Sequence, residues 1–199
     1  MNKKSALCIV AHPDDETIWM GGTILKNSDW SWTILSLCRK NDTDRAPKFS
    51  KVCKKYNSLG IIADLDDEQL NPLQTRSVVE KIKEYLPDQK YDFIFTHGQN
   101  GEYGHVRHKE THRAVKWMIE NNFLSCKKLF YFDYVDGKES APHCSSLKIP
   151  VPNSKSNLVV SLDESIYNQK LKMITDVYGF RHPIFETLAC QKAEAFNAA

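Results

Sequence analysis

Four ionisable side chains, His12, Asp14, Asp15 and Glu16, fall within five positions where the apolar run of "CIVAHPDDETIWMGG" stops. His12 and Asp15 offer one nitrogen and one carboxylate oxygen three residues apart, and Pro13 restricts the turn between them. A second segment, "GEYGHVRHKETH", offers His105, His108 and His112. One histidine from it would complete a two-His, one-carboxylate set that leaves positions open for water and substrate. That set suits catalytic Zn2+ and also Fe2+. A metal held in this way lowers the pKa of its water and polarises a carbonyl. Asp14, beside a proposed ligand, is then free to serve as general base. Carboxylates near a helix N-terminus are favourable without any function, but a His-Pro-Asp-Asp-Glu turn exceeds what capping requires.

These segments need elements to hold them, and the chain alternates strand and helix. "ALCIVA" is a short continuous apolar run, the pattern of a strand buried on both faces. A helix is expected over Thr17 to Lys26, a strand over Trp30 to Cys38, and a helix over Phe49 to Leu59 that stops at Gly60. "IIADL" reads as a third strand. "NPLQTRSVVEKIKEYL" reads as a helix capped by Asn71 with Pro72 in its first turn; Val78, Val79, Ile82 and Leu86 form its apolar face. Tyr91 to His97 is a fourth strand, followed by a glycine-punctuated loop and a helix to about Asn121. "KLFYFDYV" is a fifth strand. Gly137 to Asn157 is expected to be irregular, with one short edge strand near Leu147 to Val151. "LVVSLD" follows as a strand and Glu164 to Tyr178 as a helix. Regular alternation implies parallel pairing with right-handed crossovers, an α/β sandwich. Such folds place their sites beyond the carboxyl ends of the strands. His12 to Glu16 follows the first strand and His97 to His108 the fourth, so the two segments are expected to face one crevice.

"AHPDDE" followed downstream by "GEYGHVRH" resembles the PIG-L/LmbE-like family of zinc-dependent N-acetylglucosaminyl de-N-acetylases. The likeness runs in motif order from about Ala6 to His112 and includes the "GG" after the first motif and an "LG" closing the second helix. It implies a Rossmann-like three-layer α/β sandwich with a mostly parallel sheet, in a single domain spanning residues 1–199. It implies hydrolysis of the acetamide of an N-acetyl sugar or small conjugate. His12, Asp15 and His108 would bind Zn2+, or Fe2+. Asp14 would be the general base. His105 would stabilise the oxyanion or help protonate the leaving amine, with Tyr103 assisting. Arg45 and Asp67 are the nearest matches to a sugar-holding pair, with Lys48 and Asp66 as alternates. One departure stands out. The second motif often reads G-H-x-D-H, and Arg107 replaces the acid that would orient a histidine. An arginine cannot accept a hydrogen bond, which leaves Glu102 or Glu110 as substitutes.

The remaining histidines and tryptophans have blander readings. His112 is expected on a helix face or behind the ligands, His97 at the crevice rim or a strand end, and His182 in a structural place or near the mouth. Trp30, Trp32 and Trp117 are expected in the core, with Trp19 either there or at the site.

The 199 residues carry a formal net charge of +2, and no basic tract is interleaved with aromatics. Nucleic-acid binding is therefore not expected. Lys3 and Lys4 before an apolar run imitate a signal peptide, but Ala6 to Ala11 is too short for one, and no run approaches a membrane span. Six scattered cysteines without a CxxC pair read as reduced thiols. The expectation is thus a cytoplasmic enzyme acting on a small-molecule N-acetyl sugar conjugate, with homo-oligomerisation left open. Three other readings stand beside it. One is an amidase on a thiol conjugate or glycosylated natural product. Another is a metal-binding relative without turnover. The third is a phospho-acceptor module, which would need an Asp where "DFIFTHG" has Thr96 and His97.

Overall fold

The computed structural model describes residues 3–86, 88–142 and 144–199; Met1, Asn2, Pro87 and His143 of the expected 1–199 domain lie outside the described residues. The first two thirds of the chain alternate as the pattern predicts. They comprise β1 (Ser5–Val10), α1 (Asp15–Lys26), β2 (Ser31–Cys38), α2 (Arg45–Lys55), β3 (Leu59–Leu65), α3 (Thr75–Tyr85), β4 (Lys90–Thr96), a single turn α4 (Gly101–Gly104), α5 (Val106–Glu120) and β5 (Ser125–Phe132). These five strands pair in parallel in the order β3-β2-β1-β4-β5. Winding reverses between β1 and β4, which are hydrogen-bonded neighbours with Cys8 opposite Phe95. A crevice at the carboxyl ends of these two strands is the place where such a sheet admits a ligand.

β1 separates two cores, and its alternation shows it. Ala6, Cys8 and Val10 pack with Ile18 and Met20 of α1 and Phe49 and Val52 of α2. Leu7 and Ile9 pack with Val78 and Ile82 of α3 and Val115 and Met118 of α5. Helices thus cover both faces of the sheet, giving the three layers of a Rossmann-like sandwich.

The last third departs from the sequence reading. "KLFYFDYV" is not one strand: it breaks at Asp133, whose Oδ2 accepts hydrogen bonds from Asn153, Ser156 and Asn197. Beyond the break, β6 (Tyr134–Ala141) and β7 (Cys144–Pro152) form an antiparallel two-stranded sheet; β7 contains the strand expected near Leu147 to Val151, while β6 runs into a segment expected to be irregular. β8 (Leu158–Ser161), α6 (Glu164–Lys172), a π-helical turn over Met173–Val177, α7 (Phe185–Ala189) and β9 (Ala193–Ala198) complete the chain. β9 lies between β5 and β8 and runs antiparallel to both, so the main sheet has seven strands and is mostly parallel.

Helix starts also moved where distant bonds compete with local caps. α3 begins at Thr75 instead of Asn71, because Asn71 O accepts from Arg107 and Leu73 N–H donates to Glu110. α2 begins a turn early, at Arg45, where Asp42 Oδ1 accepts the free N–H groups of Asp44 and Arg45. Trp32 is buried, as expected of a core residue, while Trp30 is half-buried at the edge of that core, stacked on Phe93. Trp117 is 39% exposed and stacks on Phe123 at the outer face of α5 instead. All six cysteines are unpaired, four of them buried. No described helix is long and apolar enough to cross a membrane.

Candidate active site

The crevice between the ends of β1 and β4 contains the two chemistry-bearing segments. Asp14 has φ 114°, a strained value for a residue other than glycine. Glu16 supports it: Oε2 accepts the Asp14 N–H at 3.0 Å, while Oε1 accepts the hydroxyls of Thr17 and Tyr178. With that backbone, Asp14 and Asp15 both line one cleft of about 250 Å3.

Three ligand atoms meet at its inner end. His12 Nδ1 lies 3.3 Å from Asp15 Oδ2, His108 Nε2 lies 3.3 Å from Asp15 Oδ2, and the two ring nitrogens are 3.3 Å apart. Each is aimed by its surroundings. His12 Nε2–H donates to Asp67 Oδ1 at 3.1 Å, and His108 Nδ1–H donates to Glu102 Oε2 at 2.6 Å. Those bonds leave the lone pairs of His12 Nδ1 and His108 Nε2 facing each other. Asp15 accepts from Trp19 Nε1 at 2.8 Å and from the His12 N–H at 2.8 Å, which turns its Oδ2 to the same point.

The triangle fits a tetrahedral metal. Ligand atoms about 2.0–2.1 Å from a zinc ion are separated by about 3.3–3.4 Å along the tetrahedron edge. A ring nitrogen whose other nitrogen donates to a carboxylate is also the usual supporting arrangement for a metal-ligating histidine. Two inward-facing lone pairs and a carboxylate oxygen have no hydrogen to share among themselves and call for a cation. The surrounding carboxylates favour positive charge at these rings, as a proton or as a metal ion. Burial opposes charge on His12 and His108, yet the carboxylates outweigh it and raise both rings above the ordinary value. Burial likewise opposes ionisation of Asp15, but His108, His12 and His97 hold it well below the usual carboxylate range.

Behind the triangle stands a relay that sequence reasoning missed in part. Ala11 N–H donates to His97 Nε2 at 2.9 Å, so His97 Nδ1–H donates to Glu102 Oε2 at 2.7 Å. Glu102 is fully buried, has φ 58°, and also accepts Gly98 N–H at 2.7 Å. Burial penalises its charge, but His97 and His108 bring it down to about 2. Glu102 and Asp15 act the other way on His97 and favour its charge against burial, while the Ala11 N–H, donating to Nε2, favours the neutral ring. Gly98 cannot be replaced cheaply, since a Cβ there would sit 2.3 Å from Phe132 O. Glu102→Gln is therefore expected to weaken metal binding by about 10–100-fold, read by competition against a chromophoric chelator. Unchanged affinity would show that Glu102 does not aim His108.

The other predicted site residues fall around the same cleft. Asp14 Oδ2 pairs with Arg45 Nη1 at 2.5 Å, and the Arg45 guanidinium stacks 4.5 Å above the Phe180 ring. Burial and Asp15 raise the Asp14 carboxyl, and Arg45 opposes them. Asp67, read as a sugar-holding residue, lines the cleft and is bonded to His12 and, through Oδ2, to Arg39 at 2.6 Å. His105 caps α5, its Nδ1 accepting Arg107 N–H at 3.3 Å, so the proton sits on Nε2. Burial and the neighbouring His108 and His12 push this ring down to about 3. The Tyr103 ring centroid is 5.2 Å from that of His108, and burial raises its hydroxyl pKa. His112 Nδ1–H donates to His97 O, away from the ligand triangle, while Lys48 pairs with Asp44, Asp66 with Arg107, and His182 is exposed.

The model of the PIG-L family, described as GlcNAc-PI de-N-acetylase, matches residues 7–119. The chain belongs to the PIG-L family.

Other likenesses are more distant. An uncharacterized protein of Acanthamoeba polyphaga mimivirus is 25% identical over 146 residues, 66% of this chain and 63% of that relative, so the chain spans under two thirds of its length. The 4-carboxy-2-hydroxymuconate hydratase of Pseudomonas putida KT2440 superposes with a TM-score of 0.64 at 13% identity, covering 98% of this chain and 95% of the other. The zinc-inhibited form of a teicoplanin deacetylase gives 0.59 at 10% identity, with 88% and 84% covered. At such identities the likeness shows the fold alone, and that fold carries a hydratase as well as a deacetylase. Within the PIG-L frame, Arg107 has a clear structural place here. It is fully buried, paired with Glu110 at 2.7 Å and bonded to Asp66 O at 2.6 Å. It therefore ties the loop carrying Asp67 to α5, while Glu102 supplies the carboxylate that meets His108. The cleft's outer wall comes from outside the matched region: Phe185 and Glu186 of α7 line it, which no motif in the sequence signalled.

Proposed function

We propose that this single-domain chain is a metal-dependent hydrolase that removes an acetyl or related acyl group from the nitrogen of a small amino sugar or sugar conjugate. The observation that carries the reading is the 3.3 Å triangle of His12 Nδ1, Asp15 Oδ2 and His108 Nε2 with an acid, Asp14, beside it in the same cleft. Family membership supports amide cleavage over hydration.

His12, Asp15 and His108 would hold Zn2+ or Fe2+, which supplies Lewis acidity towards the acyl carbonyl and makes water more acidic. The Asp14 carboxylate takes the proton of the attacking water as the new C–O bond forms. Arg45 fixes the carboxylate for that transfer. His105 Nε2–H and the Tyr103 hydroxyl, kept protonated by burial, donate to the oxyanion; a preorganised donor of this kind is worth about 3 kcal/mol of barrier. Asp14 then returns its proton to the nitrogen as the C–N bond breaks, giving a carboxylic acid and a free amine.

Elemental analysis of the purified protein, paired with acetate release from N-acetylglucosamine and simple conjugates, tests this. About one zinc or iron per chain, lost in His108→Ala together with acetate release, is the expected result. A wild-type chain that takes up no transition metal on reconstitution, or a His108→Ala variant that still releases acetate at the wild-type rate, would sink the reading.

A further inference from the structure

Three adjacent strands of the main sheet end in groups that can bind a cation. β2 lies between β1 and β3. Its last residue, Cys38, donates its N–H to Ala11 O and stands opposite Leu65 in the register with β3. His12 follows directly on Ala11, and Asp67 comes shortly after Leu65. A ring nitrogen of His12, Cys38 Sγ and a carboxylate oxygen of Asp67 thereby all come within 4.8 Å of one another. Among the described residues, no other cysteine meets two further ligand groups in this way.

This group lies at the other edge of the His12 ring from the triangle. Nδ1 faces Asp15 and His108, while Nε2–H donates to Asp67 Oδ1 over 3.1 Å. An ion could take the place of that hydrogen, because ligand atoms on a tetrahedral zinc ion lie about 3.3–3.4 Å apart. Cys38 Sγ would close on the same point as a third ligand, and Asp67 Oδ2 would stay with Arg39 at 2.6 Å. His12 and Asp67 both line the cleft, which gives the ion a way in and room for a water as its remaining ligand. Cys38 is buried in the core cluster of Leu37 and Ala63, and burial together with Asp67 pushes its thiol pKa up. Without a cation it therefore stays a protonated, small core residue. A bound ion reverses that, because a coordinated thiol gives up its proton.

We propose that His12 Nε2, Cys38 Sγ and Asp67 Oδ1 form a second metal site for divalent ions that accept thiolate, such as Zn2+ or Co2+, with the His12 ring bridging it to the triangle. Filling it releases one proton from Nε2 and one from Sγ. The shared ring and the charge of a first ion make it the weaker site, so it fills after the triangle and only with metal in excess. The inference goes beyond the hydrolase reading, since it concerns metal binding and needs no turnover.

Cobalt titration of the metal-free chain, followed by absorption, tests it together with equilibrium dialysis against excess zinc. A sulfur-to-cobalt charge-transfer band in the near ultraviolet is expected in wild type. It should vanish in Cys38→Ser and survive in His108→Ala. It should also survive in Cys126→Ser and Cys144→Ser, the two cysteines that are not fully buried. At saturation wild type is expected to hold about two zinc ions per chain, falling to about one in Cys38→Ser and in His108→Ala. Thermal melting shows whether Cys38→Ser is folded, and Cys38→Ala replaces it if the buried hydroxyl unfolds the chain. No band in wild type at saturating cobalt, or a band that survives in a folded Cys38 variant, overturns the inference. A band lost only with Cys38, in a chain that releases no acetate, leaves it standing and counts against the hydrolase reading alone. Acetate release by a chain without the band does the reverse.

Discussion

Asp14→Asn is expected to lower acetate release by about 100- to 10,000-fold, the contribution of a positioned general base, while metal content stays at the wild-type level. The substitution is the right probe because it removes proton-accepting power and little else. Asp14 occupies φ 114°, and asparagine tolerates positive φ better than other side chains of its size. The amide oxygen can still accept from Arg45 Nη1, so the guanidinium keeps its place over Phe180. None of the three atoms of the proposed metal triangle belongs to Asp14. Steady-state kinetics with metal analysis on the same preparation separates the roles: loss in kcat with metal retained assigns the base to Asp14. Activity within tenfold of wild type would remove Asp14 from the mechanism.

The second large effect concerns the fold that holds α1. Glu194 of β9 is fully buried and accepts Gly22 N–H, Thr23 N–H and the Thr23 hydroxyl, each at 2.7 Å. Lys170 of α6, equally buried, pairs with it at 2.8 Å. Burial disfavours the Lys170 charge, and Glu194 outweighs that cost and raises its pKa. Glu194→Ala leaves the buried Lys170 ammonium without its counter-charge and removes three hydrogen bonds to α1. A loss of about 3–5 kcal/mol is expected, the usual cost of breaking a buried pair from one side, measured by urea denaturation. Lys170→Met added to Glu194→Ala should recover a substantial part, because the uncompensated charge is then gone. Equal destabilisation in the single and double variants would show that the lost hydrogen bonds to α1, and not the stranded charge, dominate. α1 carries Asp15 at its first turn, so the Glu194 bonds tie the last strand of the chain to the helix that presents Asp15.

The first two thirds of the fold were legible because each element there is specified locally. "ALCIVA" has no polar residue to expose, so it could only be a doubly covered strand. Val78, Val79 and Ile82 repeat at helical spacing. The acids after β1 and the histidines after β4 were legible as one site because parallel alternation puts both segments at the same end of the sheet. The last third was not legible, because its elements are short and are held by partners far away in sequence. Asp133 breaks a run of strand-forming residues through bonds to Asn153, Ser156 and Asn197. β9 is an unremarkable "AEAFNA" until β5 and β8 flank it.

Within the site the same division holds. Residue types and their order after two strands pointed to metal binding beside an acid, but left His105, His108 and His112 open as the second nitrogen, and only the resemblance to the PIG-L/LmbE-like family singled out His108. Which nitrogen of each histidine turns towards Asp15 could not be read that way. It depends on Asp67 and Glu102, which reach His12 and His108 from other loops. The partner of Arg107, the tie between Asp14 and Arg45, and the wall that Phe185 and Glu186 build were also set only by long-range packing. Hydrogen bonds and ion pairs act over a few ångströms of space, and the folded chain brings within that range groups that the sequence keeps up to 172 residues apart.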